Sequence, residues 1–213
     1  VTSGPAPAAP GPARADSGPV LAASGIGKRF GRRVVLDGAD LSARSGEIVA
    51  VVGENGAGKT TLLRVCAGLL RPDTGRVVRS GRVGYCPQEP VLLERLSARD
   101  HLVLFGGAAG WDRERSLSTG TRLLEALGFA GRSRVPARRL SGGGRQKLNL
   151  VLSLLGDPGV LLLDEPYQGL DHGSYAGFWE LAGTWRDDGK AVVVVTHMLA
   201  ELWRADRVIE VAA

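Results

Sequence analysis

The segment "GENGAGKTT" at 53–61 places glycines, an ammonium and two hydroxyls within the length of one loop. It satisfies the spacing G-x-x-x-x-G-K-[ST] through Gly53, Gly58, Lys59 and Thr60, the spacing of a loop that wraps phosphate groups. Asn55, Gly56 and Ala57 complete the loop, and backbone N–H groups from Gly56 to Thr61 can converge on phosphate oxygens. Lys59 would reach the β- and γ-phosphates of a nucleotide, and the Thr60 hydroxyl would ligate Mg²⁺. Only four of the 27 basic residues are lysines, so a lysine here suggests a site that needs a compact point charge and not the planar fork of Arg.

"VLLLDEP" supplies two adjacent carboxylates, Asp164 and Glu165, at the end of an apolar run. Alternation along a strand sends neighbouring side chains different ways. Asp164 can then face the Mg²⁺, with Glu165 one step on, near the γ-phosphate, where it can orient or deprotonate an attacking water. Without the phosphate loop upstream the pair would be an ordinary polar strand end. His197 closes a third apolar run, "AVVVVTH". Ligands of open α/β sheets bind at the carboxyl edge, so His197 points toward the γ-phosphate and could donate a hydrogen bond to it. A fourth segment, "LSGGGRQKL" at 140–148, sets three glycines before a helical pattern, "RQKLNLVLSLL". Gly costs about 1 kcal/mol relative to Ala inside a helix. Ser141 is a natural N-cap, and glycines let backbone N–H groups approach an anion at a helix N-terminus. The alternative is a flexible loop that ends in a cap.

The elements that must hold these groups follow from periodicity. Residues 20–41 read as two short strands joined near "FGRR". "EIVAVVG" (47–53), "GVLLLDEP" (159–166) and "KAVVVVTH" (190–197) are short apolar runs bounded by turn signals, the pattern of buried strands. "TTLLRVCAGLL" reads as a helix after the phosphate loop, "RPDTG" as a turn, and "RVVRSGRVGYCPQ" as a hairpin or paired short strands. Helical patterns occupy about 97–139, then "SYAGFWELAGTWRDD" and the short "MLAELWRA", with "DRVIEV" as a last strand. Apolar strands alternating with helices predict an α/β fold, a mostly parallel sheet covered on both faces, with a helical lobe inserted before the second buried strand.

The chain of 213 residues, 44% hydrophobic, is long enough to bury a sizeable core. No apolar run approaches the roughly 20 residues of a membrane helix. The opening, "VTSGPAPAAPGPARADSGPV", lacks the apolar core of a signal peptide and reads as a disordered lead-in over 1–19. Cys66 and Cys86 imply no disulfide framework and suit a reducing compartment. The charge of +5 comes with only 5% aromatics, little to stack bases on, so no nucleic-acid partner is expected.

Taken together these segments resemble the nucleotide-binding subunit of ABC transporters over about residues 20–211. They occur in that family's order: "GENGAGKTT" as the Walker A loop, "CPQE" as the Q-loop, "LSGGGRQKL" as the signature, "VLLLDEP" as Walker B, "GLD" as the D-loop and "VVTH" as the H-loop. The resemblance implies a P-loop NTPase core over 20–213 with a small antiparallel β-subdomain and a helical subdomain at about 89–156. It implies ATP and Mg²⁺ as cofactors, ATP hydrolysis, and a head-to-tail pair in which ATP lies between the Walker A loop of one subunit and the signature of the other. Ser141, Gly142, Gly143 and Gly144 would then serve the neighbour's γ-phosphate. Gln88 corresponds to the Q-loop glutamine, near Mg²⁺ and the water, Asp171 to the D-loop aspartate at the dimer contact, and Phe30 to the aromatic, normally Tyr, that stacks on adenine. Glu165, His197 and Gln88 would act in catalysis, and Thr60, Gln88 and Asp164 at the metal.

The resemblance further implies a second ATPase subunit, identical or different, a separate membrane-spanning permease subunit, and a peripheral place on the cytoplasmic face of the membrane. The pattern is most like subunits of ABC-2-type exporters. Three departures stand out. Gly144 replaces the usual Gln, which would alter contact with the ribose. Tyr167 stands where Thr is usual. The segment from Lys59 to Gln88 is short, which would trim the antiparallel subdomain. The competing reading is a soluble ABC-type ATPase acting on ribosomes or DNA, but such relatives usually carry two cassettes or a long coiled coil, and here there is one cassette without sustained heptads.

Overall fold

The computed structural model describes residues 18–129, 133–197 and 199–211. The expected disordered lead-in lies almost wholly outside them. β1 (Leu21–Phe30) and β2 (Arg33–Ala43) run antiparallel, with Leu21 opposite Ala43 and Phe30 opposite Arg33. Next come β3 (Glu47–Val52), α1 (Lys59–Ala67), β4 (Thr74–Arg79) and β5 (Val83–Cys86). Three helices follow, α2 (Ala98–Ala108), α3 (Arg113–Ala126) and α4 (Gly142–Leu154). The chain then alternates β6 (Val160–Asp164), α5 (His172–Asp187), β7 (Ala191–Val195) and β8 (Arg207–Glu210).

Among the described residues the strands form two sheets, a parallel one in the order β5-β6-β7-β3-β8 and an antiparallel one in the order β2-β1-β4. The expected hairpin or pair of short strands over 76–88 is not formed. β4 pairs with β1, with Leu21 opposite Arg79, while β5 joins the other sheet beside β6. The physical reason is burial: β4 is largely exposed and suits an edge, whereas Gly84 and Cys86 of β5 are buried. Between α1 and Gln88 the chain thus gives the antiparallel sheet one strand.

β3, β6 and β7 read as unbroken apolar runs because both their faces are covered. Alternate residues go to different cores. Ile48, Leu161, Leu163, Val192 and Val194 pack with residues of α2 to α5. Val49, Val51, Leu162, Val193 and Val195 pack with α1 and the antiparallel sheet. This parity determines which side of the sheet each functional side chain faces.

Helix starts are specified locally. Ser97 caps α2 in a box with Asp100, Asp112 caps α3, Ser141 caps α4 and Asp171 caps α5. α1 differs. Its N-cap is Gly58, at φ +96°, with no side-chain cap, so the N–H groups of its first turn have no side-chain acceptor there. α1 ends at Gly68, earlier than its apolar pattern suggests, because Gly68 adopts φ +79° and its N–H closes on carbonyls of the last turn. The short helix after His197 is a 3-10 segment, Leu199–Arg204.

Candidate functional site

The loop between β3 and α1 is shaped by close approach. A Cβ on Gly58 would sit 2.6 Å from the carbonyl oxygen of Val35 and 2.7 Å from the Leu36 side chain, at a φ that L-residues rarely adopt. The loop lies against β2 and borders a cleft of about 340 Å³ lined by Asn55, Gly56, Gly58, Lys59, Thr60 and Thr61. Lys59 is nearly buried, and its Nζ donates to the carbonyls of Gly53 at 2.7 Å and Glu54 at 2.8 Å. Gln88 and Glu165 close the cleft from the other side.

β6 delivers Asp164 as alternation predicts, whereas Glu165 departs from it. Asp164 shares the parity of Leu162 and faces the α1 side of the sheet. It is 1% exposed, and both carboxylate oxygens are buried without a hydrogen-bond partner of good geometry. Burial raises its pKa, with Glu165 adding to the rise, while the Thr60 hydroxyl and the Arg64 and Lys59 cations pull it down. A buried, unpaired carboxylate beside a hydroxyl is a costly arrangement unless a cation enters. The donor set suits Mg²⁺, which takes one or two protein oxygens and completes its shell with phosphate and water. Among the described residues no group of three or more His, Cys, Asp and Glu converges on a metal-sized site.

Continued alternation would carry Glu165 to the α4–α5 side. Instead Glu165 adopts φ +46°. Its N–H donates to the Val195 carbonyl at 3.2 Å, and its own carbonyl accepts from Gln168 N at 3.1 Å, so the chain leaves the strand in a tight turn and the carboxylate lines the cleft. A non-glycine residue held there costs roughly 1–3 kcal/mol, offset by the surrounding structure. His197 Nδ1 stands 3.2 Å from Glu165 Oε2, although the imidazole is 58% exposed. Gln88 Nε2 donates to Gln168 Oε1 at 3.3 Å.

The glycine-rich segment lies elsewhere. The three glycines are the first turn of α4 itself, not a loop before it. Ser141 Oγ accepts from Gly144 N at 3.2 Å. Gly143 packs against the D-loop, where a Cβ would meet the Gly169 carbonyl oxygen at 2.7 Å, whereas Gly142 faces open space. Ser141, Gly143, Gly144, Phe129, Lys147 and Asp171 line a second cleft of about 430 Å³ that shares no residue with the first. Asp171 caps α5, accepting from Ser174 N at 2.9 Å, from Ser174 Oγ at 2.8 Å and from Lys147 Nζ at 3.3 Å. These Ser174 hydrogen bonds, with Lys147 beside them, hold its carboxyl well below the usual carboxylate range.

The fold therefore gathers Asn55, Gly56, Gly58, Lys59, Thr60 and Thr61, with Gly53 and Ala57 in the same loop, around one cleft with Gln88 and Glu165, sets Asp164 beside Thr60 and His197 on Glu165, and places Ser141, Gly143, Gly144 and Asp171, with Gly142 in the same turn, around another. Phe30 stands apart from the first cleft's lining, 53% exposed at the end of β1, with Lys28 Nζ 5.7 Å from its ring centre. Periodicity missed several participants. Arg33 and Val35 line the first cleft from β2, and a β2 residue gives no local sign of which loop it will meet. Asn149, inside α4, donates to the Pro87 carbonyl at 2.8 Å and so ties the signature helix to the Q-loop. An Asn within an apolar helical stripe was the available signal.

The match to known proteins agrees with this geometry. The family model for ABC transporters matches residues 36–168. A daunorubicin resistance ATP-binding protein of Streptomyces coeruleorubidus is 38% identical over 201 residues, covering 88% of this chain and 64% of that protein. A Nod factor export ATP-binding protein of Ralstonia nicotianae is 35% identical, covering 87% of this chain and 61% of that protein. The chain thus spans somewhat under two thirds of the length of these two relatives. An ABC transporter ATP-binding protein of Methanocaldococcus jannaschii is 34% identical over 85% of this chain and 70% of its own length. Among solved structures, the ATP-binding subunit of an ABC transporter superposes with TM-score 0.84 at 26% identity, over 91% of this chain and 86% of that one. A dimeric bacterial ABC transporter cassette superposes with TM-score 0.82 at 23% identity, over 90% and 94%. With its phosphate loop, buried carboxylate and glycine-headed helix set in this fold, the chain belongs to the ABC transporter family.

Proposed function

We propose that this chain is the ATP-binding and hydrolysing subunit of an exporter, working by ATP-driven head-to-tail pairing with a second ATPase subunit and driving a separate membrane-spanning subunit from the cytoplasmic face. The observation that carries the pairing is the separation of the two clefts. The uncapped α1 and Lys59 form one half of a phosphate site, and the glycine-headed α4 forms another anion-seeking terminus that a single copy cannot bring to the same nucleotide. A second subunit turned head to tail supplies the missing half. ATP then acts as a bridge, and its hydrolysis loosens the pair.

In this reading the N–H groups from Gly56 to Thr61 cradle the phosphates, and Lys59 exchanges backbone carbonyls for phosphate oxygens. Thr60, Asp164 and Gln88 would hold Mg²⁺, which would neutralise charge on the β- and γ-phosphate oxygens when bound. Glu165 orients the attacking water and takes its proton, and His197, at Glu165 Oε2, steadies that carboxylate and donates toward the γ-phosphate. Phe30 and β2 offer the face for the adenine. The membrane subunit would dock at a third cleft of about 410 Å³, between the Q-loop and the helical subdomain of about 89–156, lined by Tyr85, Pro87, Val91, Phe105, Asn149 and Leu152. Val91, Leu93 and Leu104 add exposed apolar surface nearby. No helix among the described residues is long and apolar enough to cross a membrane.

Exporter relatives motivate the direction of transport. Two measurements test the proposal. Glu165→Gln should retain ATP binding, lose turnover by at least about a hundredfold and accumulate an ATP-bound pair on size-exclusion chromatography; near-normal turnover would remove Glu165 from its role. The tagged chain, purified from gently solubilised membranes of its native cells, should bring down a polytopic membrane protein in stoichiometric yield. Recovery with ribosomes or DNA in the soluble fraction would contradict the transporter assignment.

A further inference from the structure

Tyr167 has no part in the site described above, yet it sits two residues after Glu165, in place of the Thr usual in this family, and is buried. Its ring is clamped by α5: Tyr175 edge-on at 5.1 Å between centroids, Phe178 edge-on at 5.5 Å, and Trp179 at 6.2 Å. From this fixed position the phenol donates a hydrogen bond to Thr196 Oγ1. Thr196 precedes His197.

Strand parity explains the geometry. β6 and β7 are parallel neighbours, with Asp164 opposite Val195, so Glu165 and Thr196 leave the sheet side by side. Thr196 shares the parity of Val192 and Val194 and faces the α4–α5 core, where Tyr167 lies. His197, the next residue, reaches Glu165 Oε2 at 3.2 Å, beside the cleft that Glu165 and Val195 line. Thr196 is therefore the pivot: its side chain is held by Tyr167 while the next side chain reaches the Glu165 carboxylate. Its N–H is also tied, to the Val51 carbonyl at 3.1 Å. The His197 imidazole is largely exposed, so its contact with Glu165 depends on the backbone from which it projects.

We propose that Tyr167 is a positioning residue for the Glu165–His197 pair, its phenol fixing through Thr196 the backbone from which His197 reaches Glu165 Oε2. The proposal rests on the reading of Glu165 as the carboxylate that activates water. It also links the α5 helix, whose N-cap is the D-loop residue Asp171, to the H-loop through the Tyr167 ring packed against it.

The test uses the full chain labelled with ¹⁵N-histidine. Tyr167→Phe deletes the hydroxyl and keeps the ring, and Thr196→Val deletes the partner hydroxyl at similar volume. The His197 imidazole resonances, assigned by their loss in His197→Gln, should shift in Tyr167→Phe in the same direction as in Glu165→Gln, and Thr196→Val should reproduce the shift. Steady-state turnover should fall about 5- to 20-fold in kcat with KM for ATP changed less than about twofold. Tyr167→Phe/Thr196→Val should be no slower than either single variant, the signature of one shared interaction. Imidazole resonances identical to the wild type in both single variants would overturn the proposal, whatever the thermal unfolding temperatures do. Because the imidazole readout needs no turnover, a wild-type chain that fails to hydrolyse ATP would refute the function above and leave this test intact.

Discussion

Lys59 and Asp164 carry opposite charges beneath the same cleft, and each meets its charge differently. The Lys59 ammonium is spent on two loop carbonyls, which aims it before any phosphate arrives. Lys59→Ala should weaken nucleotide binding by about 1.5–3 kcal/mol, or roughly 10- to 150-fold in Kd, read by titration with a fluorescent nucleotide. Lys59→Arg should fail to restore it, because a broad planar guanidinium does not reproduce the compact point charge that the ammonium presents at the carbonyls of Gly53 and Glu54. Asp164 is buried without a hydrogen-bond partner of good geometry, and burial raises its folded pKa despite the Arg64 and Lys59 cations nearby. A raised carboxylate pKa means that ionising Asp164 destabilises the fold, and this penalty grows as pH rises from the unfolded value, near 4, through the folded one. Asp164→Asn should therefore raise the unfolding temperature at pH 7 and narrow that advantage on acidification, while turnover is lost. A lower unfolding temperature for the variant at pH 7 would contradict the assignment.

At the scale of elements, the glycines at the head of α4 answer to two different constraints. Gly143 is required by the fold, since a Cβ would press on the Gly169 carbonyl of the D-loop. Gly142 meets nothing within 4 Å, so the packing of the chain does not require glycine there, and the proposed pairing supplies the reason for it. Gly143→Ala should destabilise the chain by about 1–3 kcal/mol through overpacking. Gly142→Ala should stabilise it by up to about 1 kcal/mol and still lower turnover by obstructing approach to the helix N-terminus. Urea midpoints and ATPase rates on the same preparations separate the two effects. Loss of stability in Gly142→Ala would mean that the open space is not open in solution.

At the scale of the whole molecule, the proposed head-to-tail pairing would make activity a property of pairs, since the two clefts share no lining residue. Ser141→Arg should leave ATP binding by the single chain largely intact, at the cost of a helix cap worth about 1 kcal/mol, and abolish turnover. Lys59→Ala should also be inactive. Mixed in equal amounts, the two inactive variants should recover turnover wherever copies of this chain pair, because one of the two composite sites in each mixed pair is intact. Sedimentation that detects the mixed pair without recovered activity would count against the head-to-tail arrangement.

The sequence by itself determined the strand–loop–helix setting of Lys59, the two carboxylates at the end of β6, the order of the motifs and the parallel character of the main sheet. These follow from short-range causes: a fixed glycine spacing, apolar runs buried on both faces, and caps that start helices. Only the tertiary structure decided which residues meet. It placed β4 and β5 in different sheets, where the sequence suggested a hairpin, because burial and not proximity chooses partners. It turned Glu165 back into the cleft through a positive φ that no alternation rule contains. It set the Tyr167 phenol on Thr196, across 29 residues of chain, because two parallel strands end side by side. Local pattern states what each segment can become, while contacts between distant segments depend on the register and packing that only the assembled chain supplies.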